Sequence, residues 1–416
     1  MNSKLTQTLG VATLTTTALA GTVQAQSNEA ILETLVKKGV ITEAEADALR
    51  QEALGKKKEW YETLTLKGDL RLRYEQKHQS WDEREILARQ RQRYRFRLGG
   101  IADLQNGAKL GFRFATGSTD NPISTNQTMD DAGHNDALNI DQAYVAWSGG
   151  GWTLYGGKMP AHDKTGWMIN KGFLDSDYTP EGVEVHYDFG NGYATHFSWN
   201  ALHESSSTTD MDALVMAQVT GEVGDLDFGL GTIWIYNDNQ LTSDTVGSSG
   251  GISHKDAAGN SESGDNILSD FNPWFVDAKY KLTDKVGLRG TYINNPSAHD
   301  SAEDSGYSLG IKYGKADSME PGTWEVGYEW RHMERDVMWH QLTHSDFGAF
   351  GSRGKSGQYK FYNGTNVEGS VIGAKYQWTR STTLGFKWYI TDAIDSATSG
   401  DTDTAHRMQF DLVFKF

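Results

Sequence analysis

The chain has 416 residues, of which 39 are Lys or Arg and 55 are Asp or Glu, so its formal net charge is −16. So acidic a chain is poorly suited to nucleic acid, whose phosphates require a cationic surface, and the absence of cysteine excludes disulfides and thiol catalysis. No run of about 18 apolar residues occurs, which excludes a helical membrane span, and the length alone predicts two or three soluble domains.

Residues 1–25 have the pattern of a secretory signal peptide. Lys4 supplies a short positive start, and an uncharged stretch of small and weakly apolar residues runs from Leu9 to Ala20. Residues 23–25, Val-Gln-Ala, fit the small-x-small cleavage site of such signals. We therefore expect the mature chain to begin near Gln26.

Residues 26–62 predict a small helical head. Apolar residues recur at helical spacing from Ile31 to Val36, and Gly39 follows where a helix end favours a left-handed residue. Thr42 and Glu45 have the spacing of a capping box that begins a second helix. Two such helices bury too little surface to fold alone. The alternatives are a plug or spacer, a coiled-coil-like association with other subunits, and a contact with the cell wall.

From residue 63 the apolar period changes to two, which is typical of a β-strand with one apolar face. In residues 63–77, one face carries leucines and Tyr74, whereas the other carries mostly charged residues. For the segment 211–222 either face could be the apolar one. The pattern predicts 16 strands, near 63–77, 89–104, 109–114, 137–148, 151–160, 182–190, 192–201, 211–222, 225–236, 273–282, 285–294, 306–314, 322–334, 366–378, 382–392 and 405–416.

The connections between these strands alternate in length. Eight long loops, the first directly after the first strand, alternate with seven short turns such as Gln105-Asn106-Gly107. Several strands are longer than the roughly five or six residues usual in soluble proteins, and aromatic residues lie at the tips of their apolar faces. Because backbone groups in lipid must all be paired, such a sheet has to close. Residues 63–416 therefore predict a transmembrane antiparallel up-and-down β-barrel, which replaces the expectation of soluble domains. The alternative fold is a secreted soluble β protein.

The last strand ends on Phe416, with apolar residues at every second position back to Met408. In this respect the sequence resembles the outer-membrane porins of Gram-negative bacteria. The segments KKGVITEAEADAL at 37–49 and LKGDLRLRYE at 66–75 are similar to the "putative porin" family, which places a short helical segment before the barrel. LNIDQAYVAW at 138–147 and TPEGVEVHY at 179–187 look like further landmarks of that family.

This resemblance implies a water-filled channel for the passive diffusion of small hydrophilic solutes and ions. It places the barrel in the cell outer membrane, surrounded by lipid and lipopolysaccharide, and the head in the periplasm. No cofactor is expected. Porins of this size are often trimers, so a homotrimer is one expected assembly. The barrel-assembly machinery reads a terminal aromatic segment, here Phe410, Leu412, Phe414 and Phe416. The alternative function is a surface barrel that acts mainly through its loops, as an adhesin does.

If the apolar face meets lipid, the other face lines the lumen. The first three strands then carry a basic wall, formed by Arg71, Arg73, Arg91, Arg93, Arg95, Arg97 and Arg113. Like charges repel one another unless water or counter-charges screen them, which a water-filled lumen allows. The basic wall is either ordinary solvated lining or a surface that steers anions and sets a field across the pore.

The long loop 160–181 follows the position at which general porins fold a loop inward, although it lacks their usual loop motif. Acids opposite the basic wall would create a transverse field that orients dipolar solutes. The charged residues of this candidate constriction loop are Asp163, Lys164, Asp175, Asp177 and Glu181.

No pattern in the sequence favours catalysis or metal binding. His196 and Ser198 share a strand face, as in an outer-membrane phospholipase, but the alternation directs them into the lumen and not towards lipid. The histidines lack a metal-ligand spacing such as H-E-x-x-H. The acidic surplus lies mostly in the outer loops, where it favours solubility or, alternatively, divalent-cation bridging to lipopolysaccharide.

Overall fold

The computed structural model describes residues 32–47, 49, 59–81, 85–119, 121–130, 132–204, 211–236, 262–263, 266–267, 269–348, 350–353, 359–362, 364–395 and 402–416. The predicted signal peptide, 1–25, lies outside these residues. Among them, no helix is long and apolar enough to cross a membrane.

Sixteen antiparallel strands form a closed barrel, because the last strand pairs with the first as well as with its predecessor. Each of the other strands pairs with its neighbours in sequence, so the topology is up-and-down. A two-residue strand, Gln127–Thr128, pairs beside the second strand. The barrel strands are β1 Thr65–Trp81, β2 Glu85–Gln105, β3 Ala108–Ala115, β4 Asn139–Gly149, β5 Trp152–Lys158, β6 Glu181–Asp188, β7 Tyr193–Glu204, β8 Met211–Val223, β9 Leu226–Tyr236, β10 Trp274–Lys281, β11 Val286–Asn294, β12 Ser305–Gly314, β13 Trp324–Met333, β14 Val367–Gln377, β15 Thr382–Ala393 and β16 Thr402–Lys415.

All 16 predicted strands are confirmed, but the prediction of a long loop after the first strand is wrong. β1 and β2 remain paired as far as Trp81 and Glu85, so only residues 82–84 connect them. The alternation of apolar and polar residues ends before the strands do, because it reflects contact with lipid. The backbone hydrogen bonds of the ladder require no apolar side chain, so the pairing of β1 with β2 continues beyond the lipid-facing part.

Short turns close one end of the barrel. Asn106 and Gly107 join β2 to β3 with φ values of 50° and 80°, and two successive positive values are typical of the type I′ hairpin turn. Glycine favours such a conformation because it has no Cβ. The long connections leave from the opposite end, where 159–180 joins β5 to β6 and 334–366 joins β13 to β14.

The predicted apolar faces point outward from the barrel. Leu309, Leu230 and Trp324 are 66%, 55% and 49% exposed, as expected of side chains that meet lipid. The ambiguous phase of β8 is also resolved, since Val219 and Val223 point outward while Leu214 and Met216 are buried inside. β8 looked ambiguous because part of the interior of this barrel is itself apolar.

The head shows the predicted capping signals. Residues 32–37 and 43–47 are helical, and Gly39 between them has a φ of 67°. The capping box is present, because the Thr42 N–H donates to Glu45 Oε2 at 2.7 Å and the Glu45 N–H donates to Thr42 Oγ1 at 3.2 Å. A short 3-10 helix, Trp60–Glu62, precedes the barrel.

Candidate functional site

Two of the long connections fold into the barrel and reach the middle of its wall. We call residues 159–180 and 334–348 the inner loops. In the first, the Met168 N–H and C=O bond the side-chain amide of Gln218 on β8 at 2.8 and 2.9 Å. Across the lumen, Asn170 Nδ2 donates to Ser308 on β12 and to Glu329 on β13 at 2.8 and 2.9 Å. This loop therefore spans the interior.

The second inner loop packs directly against the first. The Asp175 N–H donates to the Leu342 carbonyl at 2.8 Å, and the Ser345 N–H donates to Asp175 Oδ2 at 2.9 Å. Trp339, which is 0% exposed, and Phe347 are buried in the same apolar cluster as Phe173. The apolar core of the molecule thus lies inside the barrel, between the inner loops and the wall.

Asp346 ties the second inner loop to the barrel wall. Its carboxylate lies 2.5 Å from Arg407 Nη2 on β16 and 3.4 Å from Arg73 Nη1 on β1. Arg407 Nη1 also donates to the Ser345 carbonyl at 3.0 Å. Burial alone would raise the pKa of Asp346, but Arg407 and Arg73 hold it well below its ordinary value. The acid therefore remains ionised and bound at neutral pH.

Most members of the basic wall contact a carboxylate of the wall itself. Arg73 forms a bidentate pair with Asp411, with N–O distances of 2.6 and 2.8 Å. Asp69 accepts from both Arg95 and Arg97 at 2.8 Å. Arg91 pairs with Glu75 at 2.5 Å, and Arg113 pairs with Asp141. These carboxylates offset the mutual repulsion of the arginines, which would otherwise oppose such a cluster.

Arg71 and Arg93 differ from the other members of the basic wall. Arg71 donates from Nη2 to the Asn126 side-chain oxygen, and Arg93 donates from Nη2 to the Asn126 carbonyl at 3.3 Å. Among the described residues, no carboxylate lies within 4.0 Å of either guanidinium. The basic wall therefore contains both compensated and uncompensated arginines.

The charged residues of the candidate constriction loop have different surroundings. Asp177 lies 3.9 Å from both Arg95 and Arg97, so it adjoins the basic wall. Burial alone would raise the pKa of Asp177, but the two guanidiniums hold it below its ordinary value. The structure does not bring Asp163, Lys164 or Glu181 to the wall. Asp163 pairs with Lys164 at 2.6 Å, and Glu181, the first residue of β6, pairs with Lys158 at 2.6 Å.

Because Asp175 is buried where the inner loops meet, we expect their contact to depend on pH. Burial raises its pKa to about 8, and the Asp177 carboxylate acts in the same direction, although two backbone N–H donors oppose the shift. An unfolded Asp has a pKa of about 3.9, so the stabilising contribution of Asp175 is expected to be full below about pH 4 and to be lost as the pH rises through about 8.

We expect protease cleavage within 334–348 of the micelle-embedded barrel to increase between about pH 4 and pH 8. The free energy of opening this segment should fall by at most about 1.4 kcal/mol per pH unit. Asp175→Asn removes the titrating group and should give a flat profile. A native protein whose cleavage does not change with pH would contradict this.

Several further charged residues lie inside the barrel, where the alternation of the strands places them. Asp69, Glu75 and Asp411 share the inward face of β1 and β16, yet only basic residues of this face were predicted to have a role. Later strands also direct cations inward, where Arg289 pairs with Asp277 and Arg331 pairs with Glu329. Further examples are Lys279, Lys312, Lys375, Lys387 and Arg407.

His196 and Ser198 point into the barrel, as the alternation predicted. His196 Nε2 lies 3.1 Å from Thr220 Oγ1, and its ring contacts that of His186 with centroids 4.3 Å apart. Glu184 lies beside His186 and His162, at 2.6 and 3.6 Å. In the described part of the chain, no group of three His, Asp or Glu side chains is arranged to hold a metal ion.

The terminal aromatic segment packs on the outer face where the barrel closes. Phe410 and Phe416 are exposed. The Phe416 ring stacks on Phe96 with centroids 6.4 Å apart, and the backbone N–H of Phe416 donates to the Gly68 carbonyl at 3.1 Å. A Cβ on Gly68 would lie 2.6 Å from the Phe416 ring, so a glycine is needed there. Leu412 and Phe414 pair with Leu72 and Leu70 of β1.

Comparison with known proteins identifies one family and several solved structures that are similar to this chain. A family model described as "Putative porin" matches residues 85–161 and 268–416, more than half of the chain. Among solved structures, a double mutant of Rh. blastica porin is 13% identical with a TM-score of 0.48. A triple mutant of Rhodopseudomonas blastica porin is 13% identical with a TM-score of 0.47. Each match covers 85% of this chain and 100% of the other. Among proteins of curated function, none matches significantly.

Proposed function

The chain belongs to the family described as "Putative porin", and from that premise we propose that it is an outer-membrane porin for passive diffusion of small hydrophilic solutes and ions. The observation that carries this proposal is a closed 16-stranded barrel with an apolar outer face and a charged interior. A barrel of this kind satisfies every backbone group in lipid and leaves a polar path through its centre. The adhesin-like and soluble alternatives account for neither the charged interior nor the family.

The placement of the rest of the chain is part of the proposal. The head at 26–62 lies in the periplasm, since it precedes β1 at the end of the barrel that carries the short turns. Residues 1–25 direct export, and the outer face meets lipid and lipopolysaccharide. The segment Phe410, Leu412, Phe414 and Phe416 is read by the barrel-assembly machinery, and the barrel assembles as a homotrimer.

The inner loops form the constriction of this channel. The contacts of Asn170 with β12 and β13 and of Asp177 with β2 support this assignment, because they hold one loop across the lumen. Solutes then pass beside the inner loops, along the part of the basic wall to which Asp346 and Asp177 do not bond. Asp177 lies beside Arg95 and Arg97, so it reduces their field locally, and the anion preference of the channel comes from the uncompensated cations.

Conductance of the purified protein in planar bilayers tests the channel function. We expect stable single-channel steps in KCl and a reversal potential that favours chloride over potassium in a salt gradient. Replacing Arg95 and Arg97 by glutamine leaves Asp69 and Asp177 without their cations and should shift the reversal potential towards potassium. A folded barrel without conductance would refute the proposed function, whereas unchanged selectivity would refute only the role of the wall.

A further inference from the structure

The two uncompensated arginines converge on one residue. Arg71 and Arg93 donate to the side-chain oxygen and the carbonyl oxygen of Asn126, respectively. In the β1–β2 ladder, Arg71 lies opposite Arg95 and Arg93 lies opposite Arg73. Arg71 and Arg93 are therefore diagonal neighbours, with backbones about 7–8 Å apart, on the same lumen face. Two guanidinium groups consequently share one region of the wall.

The position of Asn126 is fixed by its surroundings. Its Nδ2 donates to Ser124 Oγ at 3.1 Å, and the next two residues pair with Tyr94 and Arg93 of β2. One N–H of the side-chain amide is thus bonded to Ser124, and both oxygens of Asn126 accept from the arginines. Asn126 is a positioning residue, which holds the two guanidiniums together without neutralising them.

Both arginines have N–H donors that find no acceptor among the described residues. The Nε atoms of Arg71 and Arg93 are buried and have no hydrogen-bond partner there, and Arg93 is only 8% exposed. A guanidinium has five N–H donors, and each of these arginines uses one in the bonds to Asn126. A buried unpaired donor is costly, especially on a charged group, so an acceptor in the lumen would be bound favourably.

The charge of the surrounding wall also favours an anion. Within the described part of the chain, seven guanidinium groups lie against five carboxylates in this region, which leaves two cations in excess. The cations are Arg71, Arg73, Arg91, Arg93, Arg95, Arg97 and Arg407, and the carboxylates are Asp69, Glu75, Asp177, Asp346 and Asp411. Each of the five carboxylates is held by an arginine other than Arg71 and Arg93.

We propose that Arg71 and Arg93, positioned by Asn126, form a binding subsite in the lumen for a small solute that carries a carboxylate or phosphate group. This deepens the proposed channel function, on which it rests. The planar donor fork of arginine matches the oxygen geometry of such oxyanions. Binding at this subsite is weak enough for release, so it enriches these anions at the constriction and favours their passage over that of neutral solutes.

The test uses the full-length channel in planar bilayers, with acetate and inorganic phosphate as separate probes at constant KCl. We expect at least one probe to reduce the chloride current with a saturable concentration dependence. In the double variant Arg71→Gln/Arg93→Gln, the half-blocking concentration should rise about tenfold or more, because two charge-assisted hydrogen-bonding groups are lost.

Two further variants separate a built subsite from general electrostatics. Arg89→Gln/Lys109→Gln removes the same charge from β2 and β3 and should change the half-blocking concentration by less than about twofold, since among the described residues only Arg71 and Arg93 donate to the oxygens of Asn126. Arg71→Lys/Arg93→Lys keeps the charge but loses the fork, and should weaken the block almost as much as the glutamine pair. Heat-dependent gel mobility checks that each barrel is folded.

The outcomes are distinct. Block by acetate alone assigns the subsite to carboxylates, and block by phosphate alone assigns it to phosphate groups; either supports the proposal. It is overturned if neither probe blocks the native channel, or if the two glutamine variants weaken the block equally. Because the native KCl conductance is recorded first, a channel that conducts without block refutes the subsite alone. A barrel that does not conduct refutes the channel function.

Discussion

Replacing Asp346 by asparagine is expected to detach the second inner loop from the barrel wall and to raise the single-channel conductance. Asp346 is the acid through which this loop contacts Arg73 and Arg407, and both arginines are almost fully buried. Breaking a buried ion pair from one side is destabilising because it leaves the partner charge uncompensated. Here the cost should be about 3 kcal/mol, the lower end of that range, since Asp411 and Glu75 still hold the two arginines.

The same substitution should also change ion selectivity. The asparagine side chain is neutral, so the region gains one net positive charge and the reversal potential should shift further towards chloride. Asp284→Asn is the matched control, since Asp284 lies in a turn between β10 and β11 with its side chain 93% exposed. If Asp346→Asn and the control give the same conductance and selectivity as the native channel, Asp346 does not anchor the loop.

Trp339→Ala is expected to loosen the packing of both inner loops while the barrel itself stays folded. Trp339 is the largest fully buried side chain of the described residues, and it lies in the cluster that joins the second inner loop to the first. Removing a buried tryptophan typically costs about 3–5 kcal/mol through lost transfer free energy and the cavity that remains. The strand ladder makes no use of this side chain, so the barrel should still resist heat in gel mobility.

Conductance and protease cleavage of 334–348 measure this effect, and both should increase. Trp339→Phe should recover much of the native behaviour, because the indole N–H of Trp339 has no hydrogen-bond partner in the described structure and a phenyl ring fills most of the space. Trp60→Ala is the matched control, since Trp60 is exposed and lies outside the barrel. Equal cleavage of the Trp339→Ala and Trp60→Ala variants would contradict the packing role of Trp339.

Local pattern alone predicted the strands and the face that each presents to lipid. Lipid contact acts on every second residue, so Leu309 and Trp324 mark the outer face without any knowledge of the neighbouring strands. The caps of the head are similarly local, since Thr42 and Glu45 lie three residues apart. Beyond residue 77 the alternation ends while the β1–β2 ladder continues, so the end of the first strand and the start of the second were predicted wrongly.

The contents of the lumen could not be predicted in this way. Asp346 and Arg407 are distant in sequence, and nothing near either residue indicates that they meet. Leu214 and Met216 looked compatible with either face because an inward side chain is apolar only where a loop covers it. The acids that compensate the arginines, such as Asp69 and Asp411, were visible in the alternation, but their partners depend on the register between strands.

The sequence by itself therefore determined a closed barrel of 16 strands, its outer face and the charged character of its inner face. These features follow from an alternation that lipid and water impose one residue at a time. The tertiary structure decided which connections fold inward and which arginines are neutralised. It also decided that the Nε atoms of Arg71 and Arg93, beside Asn126, have no acceptor among the described residues. Those features depend on contacts between distant segments, whose free energy exists only once the barrel has closed and brought them together.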